Sequence, residues 1–297
     1  MKSPEMGEDR MRSDIKTGLC LAAGLSLSAC ASWDQPLALE VCGPAKLELK
    51  YNNDGHLDTA YLVARHAGWE PAAAAELAFY TQAPDDFAAA YSAPSGTARL
   101  FALQFERAHL LSSVLHSLHG GGSDDVAHRQ RVLAQMIREQ SLAWGNAGQQ
   151  DEHWKAGFLV HALGDSYAHV WGVNQNRPGS VAYNPVAGHI PDGLVHGNPD
   201  NIDANFANYA RYVRALFAAL DRGTGDGQAL EAFLASVERA VIREAGGAEG
   251  ATTALIRSTS TDDFGRHPRL DCPAWAARLD YQTGVRPFLR QVEARLG

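Results

Sequence analysis

Basic residues, cysteines and long apolar runs are all scarce in this 297-residue chain. Lys and Arg number 26 against 34 Asp and Glu, for a formal charge of −8. Duplex affinity comes largely from cations that neutralise phosphates, so a nucleic-acid partner held on a basic face is disfavoured. The apolar run at 17–29 falls short of the roughly 20 residues that span hydrocarbon as a helix, which argues against a retained anchor helix. No β-rich stretch, internal repeat or low-complexity block is present. With 45% hydrophobic and 20% charged residues, the composition is that of an ordinary globular protein. The length suffices for one large domain with a sizeable core.

The N-terminal run follows Arg12 and Lys16 and ends Leu27-Ser28-Ala29-Cys30, the shape of a signal peptide over 1–29. Met11 offers a second start with a more typical basic region. Leu-Ser-Ala-Cys resembles the bacterial lipobox, which implies cleavage before Cys30, acylation of its thiol and a lipid-anchored tether over 30–45. Ala31 follows Cys30 where an Asp would signal inner-membrane retention, so the resemblance points to the outer membrane, facing the periplasm. Of the four cysteines, Cys20 leaves with the signal and Cys30 takes lipid. Cys42 and Cys272 remain, and in an oxidising compartment a disulfide between them is expected.

The remainder, 46–297, reads as an all-helical domain. A short strand is expected at Lys46–Tyr51. Helices follow at Leu57–Ala67, stopped by Gly68, and from Pro71 onward, with Pro in the first turn. Thr97–Leu118 reads as one long helix closed by Gly120-Gly121-Gly122. Asp124 or Asp125 is expected to cap the next helix, which runs to about Trp144, and Asp151 to cap the one after it. That helix carries Phe158, Leu159, Ala162 and Leu163. The segment 172–201, rich in Pro, Gly and Asn, reads as a long functional loop. Three further helices are expected at Tyr209–Leu220, Gln228–Ala245 and Tyr281–Leu296.

Chemistry enters through the histidines, several of which stand at ligand spacing beside carboxylates. His161, Asp165 and His169 fall at i, i+4 and i+8, one stripe of a helix. Imidazole and carboxylate from successive turns suit zinc. Gly164 and Ala168 on the same helix leave room for a close approach. Further candidates lie at helix ends: His56, Asp85, Asp86, His116 and His119. In the loop, His189, Asp192, His196 and Asp200 could hold a cation that orders it.

These motifs resemble an uncharacterised bacterial family and, more distantly, the zinc-dependent phospholipase C and single-strand-specific nuclease superfamily. Those are all-α proteins with a cluster of up to three zinc ions. The resemblance covers roughly 54–200 and rests on Asp54-x-His56, Ala64-x-x-x-Gly68, Asp85-Asp86, His161-x-x-x-Asp165-x-x-x-His169, Gly188-His189 and Pro199-Asp200. It implies a single-domain multi-helix bundle in which His161 and Asp165 hold one zinc, Asp165 bridges to a second, and His169 with His189 holds another. It implies that His56 is the ligand from the first helix and His116 or His119 the helix-end ligand. Asp85 or Asp86 would orient and deprotonate the attacking water. Three features depart from the superfamily. Its N-terminal Trp, whose amino group binds metal, has no counterpart behind a lipidated Cys30. Three residues rather than five separate Asp165 from His169. No His-x-x-x-Glu follows His189, so Asp192, His196 or Asp200 must substitute there.

The function expected from this reading is a membrane-anchored, zinc-dependent phosphoester hydrolase with two or three ions and a phospholipid or other phosphoester substrate. The alternative is a non-catalytic surface lipoprotein with a structural metal site or a partner-binding loop. Gly164-Asp165-Ser166 is not read as an esterase nucleophile block, because such a block follows a strand and this one lies within a helix.

Overall fold

The computed structural model describes residues 52–85, 91–93, 99, 102–146, 148–170, 182–183, 200–248, 250–264 and 272–297. All of them belong to one compact unit, Pro36–Gly297. The expected strand at 46–51, the signal segment, Cys30 and Cys42 lie outside the described residues, and with Cys42 the expected disulfide to Cys272. Among the described residues every extended element is helical, and strand pairing is limited to an isolated antiparallel bridge between Val170 and Ala182. The all-α expectation holds.

A π-helical turn, Asn52–Asp58, leads into α1, Thr59–His66. Gly68 ends it with φ +83°, as the sequence indicates. Helix α2, Pro71–Gln82, starts on its proline and closes with a 3-10 turn, Ala83–Asp85. The long helix expected over Thr97–Leu118 is not formed as one piece. Leu103 takes φ +59°, and only the short α3, Phe105–His109, and a π-helical turn, Leu110–Leu115, follow it. A left-handed residue cannot sit inside an α-helix, so the Ala/Leu content misleads here.

Helix α4, Ser123–Ala143, begins slightly earlier than expected: Gly122 holds the N-cap position, and Asp124 and Asp125 lie in the first turn, where the Asp125 carboxylate accepts from the Gly122 N–H at 2.8 Å. Helix α5 is Trp154–Ala168. Asp151 does not cap it: His153 holds the N-cap position, and the Asp151 side chain is 90% exposed. The remaining helices are α6, Phe206–Leu220; α7, Gly227–Ala245; α8, Ala251–Phe264; α9, Cys272–Ala277; and α10, Arg286–Leu296, which a π-helical turn at Tyr281–Val285 precedes. Helices α8 and α9 were not expected from the sequence. No helix among the described residues is long and apolar enough to cross a membrane.

Helix α5 is the axis of the fold. Trp154 and every residue from Ala156 to Ala168 are buried, and α2, α4 and α6 pack around it. A helix apolar on all sides belongs in the middle of a bundle, where no face meets water. Two glycines set how near its neighbours come. A Cβ on Gly157 would stand 2.3 Å from Tyr80 Cβ and 2.8 Å from the Thr81 nitrogen, so α2 crosses α5 at backbone contact. A Cβ on Gly164 would stand 3.1 Å from the His56 ring. Gly157→Ala is therefore expected to lower stability by about 2 kcal/mol or more, overriding the helix propensity it gains. Urea unfolding of the variant against wild type measures this, and an unchanged midpoint would contradict the close crossing.

Candidate metal centre

Five of the sequence candidates converge on α5. His161 and Asp165 come from its third and fourth turns. His56 arrives on the π-helical turn before α1, Asp85 on the 3-10 turn after α2, and His116 just past the π-helical turn Leu110–Leu115. Such π-helical turns are rare and concentrate at functional sites. Ser117, with φ +52°, turns the chain immediately after His116, and its hydroxyl donates to the Ala162 carbonyl on α5 at 2.8 Å. This seats His116 beside His161 and Asp165.

Asp165 is the hub. Its Oδ1 lies 3.0 Å from His56 Nε2, and its Oδ2 lies 3.0 Å from His116 Nδ1 and 3.3 Å from His161 Nε2. The two inner nitrogens are themselves 3.0 Å apart. Asp85 stands beyond them, 3.6 Å from His56 and 3.8–3.9 Å from His116 and His161. The ligand atoms of His56, His161 and Asp165 lie within 4.8 Å of one another, and so do those of Asp85, His116 and His161. The rings of His56 and His161 stack at 4.1 Å. His161 is fully buried, His56 and His116 are 1% exposed and Asp165 3%.

The outer ring nitrogens decide what the inner ones can do. His161 Nδ1 lies 3.0 Å from the Thr81 carbonyl, and His116 Nε2 lies 3.0 Å from the Tyr91 carbonyl. A carbonyl only accepts, so each of these nitrogens carries the hydrogen. In the neutral rings, His161 Nε2 and His116 Nδ1 therefore present lone pairs to each other and to a carboxylate oxygen. Three acceptors at 3.0–3.3 Å repel unless a proton or a cation sits among them. Atoms bound to one tetrahedral zinc at about 2.0–2.2 Å lie roughly 3.3 Å apart, so the set fits a metal ion, and the backbone carbonyls supply the outer support that metal-binding histidines normally have.

His169 caps the C-terminus of α5 and repeats the pattern. Its Nδ1 donates to the His116 carbonyl at 2.9 Å, and its Nε2 faces Asp200 Oδ1 at 3.2 Å and is thus turned away from the first group. The chain at His169 is pinned where its carbonyl accepts from the Tyr183 N–H at 3.1 Å. Of the loop candidates, Asp200 is brought to the site; His189, Asp192 and His196 lie outside the described residues, as does Asp86. Asp85 joins the ligand atoms themselves. His119 is not part of the cluster. Its Nδ1 accepts from the Gly121 N–H at 3.1 Å, and burial, with Arg129 nearby, lowers its pKa to about 4.

The electrostatics favour positive charge at the centre. Burial works against protonation of His56, yet Asp165, Asp85 and Asp200 raise its pKa overall. Burial likewise opposes protonation of His169, and Asp165 and Asp200 nonetheless push it up to about 10. Burial would keep Asp165 neutral, but the surrounding imidazoles of His161, His169 and His116 hold its carboxyl well below the usual range. His161, buried and next to His56, is lowered.

The groups that sequence reasoning missed are the supporting carbonyls of Thr81 and Tyr91 and the close approach at Gly157. A backbone acceptor carries no residue-type signal. Comparison with family models, curated proteins and solved structures finds no match for the chain.

Proton uptake by His169 sets an expected pH dependence. Its pKa is about 10 in the folded chain against an ordinary 6.5, so its contribution to stability is fully present below pH 6.5 and is lost as pH rises through about 10. Asp165, held low, contributes a constant amount over that window. Chelated protein is expected to show a urea midpoint that falls between about pH 7 and pH 9.5, with a shallower fall in Asp200→Asn. A midpoint that is flat or rises in the wild type would refute this charge assignment.

Proposed function

We propose that the protein is a zinc-dependent phosphoester hydrolase of phospholipase C-like type, carried on the outer membrane by lipid attached to Cys30. The observation that carries this reading is the convergence of the inner lone pairs of His116 and His161 on Asp165, an arrangement that asks for a cation. Chain order supports it as well: His56 just before the first helix, Asp85 after the second and the helix-end His116 come together with His161 and Asp165, in the order that the resemblance suggests. Asp85, His116 and His161 would hold one ion, and His56, His161 and Asp165 could hold another. His169 and Asp200 would contribute to a third, with His189 from the loop.

Bound there, zinc would supply a Lewis acid for a phosphoryl oxygen and lower the pKa of a water. The protein's own part is position and proton handling. Asp85 and Asp200 have the most exposed side chains of the set, 15% each against at most 8% for the others, so they form its rim. Asp85 is placed to orient an incoming water and accept its proton. The side chains beneath are almost fully buried, which strengthens every charge interaction at the centre. A phospholipid head group suits an anchored enzyme.

A second reading, a metal that only staples helices, is favoured by that same deep burial, because structural sites are closed. One set of measurements separates the two. The expected result is a purified protein that contains zinc and hydrolyses a chromogenic phosphodiester. Chelation, Asp165→Asn and His161→Ala should each lower the rate at least about a hundredfold, and added zinc should restore only the chelated wild type. Bound zinc with a lowered unfolding midpoint on chelation, but no hydrolysis of any phosphoester, is the structural outcome. Hydrolysis that survives both chelation and Asp165→Asn overturns the proposal. Cys30→Ser should move the protein from the membrane to the soluble fraction.

A further inference from the structure

Tyr212, on α6, is fully buried, and its hydroxyl makes no hydrogen bond. Gly164 brings this ring to the metal centre. The point where a Cβ on Gly164 would stand lies 3.3 Å from Tyr212 Cζ, the carbon that bears the hydroxyl, and 3.1 Å and 3.3 Å from Cε1 and Nδ1 of His56. Phenol and imidazole therefore meet over an α5 position that has no side chain, one residue before Asp165. Burial first, and then the charges of Tyr209 and Asp165, raise the Tyr212 pKa well above its ordinary value, so the hydroxyl keeps its hydrogen and remains a donor. A phenol that neither ionises nor reaches water is costly to bury without an acceptor, and a phenylalanine would fill the same space without that cost.

The ligand atoms on this side of the centre number three, those of His56, His161 and Asp165, within 4.8 Å of one another. Zinc takes four, and where the protein gives three a water completes the tetrahedron. We propose that Tyr212 is a positioning residue of the metal centre, its hydroxyl donating to the water that completes the shell of an ion held by His56, His161 and Asp165. The ion and its water then supply the acceptor that the phenol lacks within the protein, and the hydroxyl fixes where that water stands. Partners of this outer kind normally govern metal affinity as well as ligand orientation. The inference rests on the metal site of the proposed function and deepens it; it does not require that the site hydrolyse anything.

Zinc affinity of the full chain, measured by competition with a chromogenic chelator, and urea midpoints with and without zinc test it in Tyr212→Phe. The chelated variant is expected to unfold at or above the wild-type midpoint, because it keeps the ring and loses only an unpartnered hydroxyl. Its zinc affinity is expected to fall about tenfold, and any phosphodiester hydrolysis should lose about tenfold in kcat with KM within about twofold of wild type. Tyr80→Phe removes a hydroxyl that donates to the Trp275 carbonyl on α9. That variant should lower the chelated midpoint and leave zinc affinity within about twofold. Wild-type zinc affinity in Tyr212→Phe overturns the proposal. So does a chelated midpoint that falls as far in Tyr212→Phe as in Tyr80→Phe, or a wild-type protein that binds no zinc. A tenfold loss of zinc affinity without hydrolysis by the wild type upholds the role of Tyr212 and removes only the hydrolase reading.

Discussion

Inside this bundle, two imidazole lone pairs and a carboxylate oxygen are pressed together without a hydrogen of their own to share, and much of the surrounding structure serves to keep them there. The neutral rings cannot turn to relieve the opposition, because each is tied by its outer nitrogen to a main-chain carbonyl. The carboxylate cannot retreat to water, because Asp165 lies in the middle of a helix buried on every side. Removing an ionised group from water costs several kcal/mol even after relaxation, so a fold that does so must recover that energy from a partner charge. Raised pKa values at His56 and His169 favour positive charge in that role.

Packing makes this concentration of polar groups possible. The neighbouring helices α2 and α6 are rich in alanine and α5 itself carries Gly157 and Gly164, so backbones approach closely and bring histidines from three separate segments within reach of one carboxylate. Gly157 lets α2 come near enough for the Thr81 carbonyl to meet His161 one turn further on. Gly164 leaves space for the His56 ring to stack on His161. Aromatic side chains close the outside, with Tyr209 hydrogen-bonded to Thr59 and Trp69 to the Leu220 carbonyl. The apolar core and the polar centre are thus one construction.

Much of this was legible in the sequence where the signal is local. The spacing of His161, Asp165 and His169 placed them on one helix stripe, Gly164 was readable as room for an approach, and Gly68 and Pro71 marked real boundaries. The failures are non-local or conformational. Leu103 and Ser117 adopt positive φ without being glycine, so nothing in their chemistry announces a break or a reversal. The turn at Ser117 separates His116, which enters the cluster, from His119, which does not; from spacing alone the two were equivalent. Helix α8, Ala-Thr-Thr-Ala-Leu-Ile-Arg-Ser-Thr-Ser-Thr-Asp-Asp-Phe, is polar and β-branched with no clear apolar stripe, and tertiary context makes it a helix.

The outer contacts of His116, His161 and His169 all end on peptide oxygens, those of Tyr91, Thr81 and His116 itself. Every residue type carries that oxygen. Ring orientation here is therefore insensitive to side-chain identity at the supporting positions and sensitive to the path of the main chain through them. Sequence drift at 81 or 91 can proceed without unseating the imidazoles, whereas an insertion or deletion of a single residue near either position would rotate an anchor away and disable the centre at once.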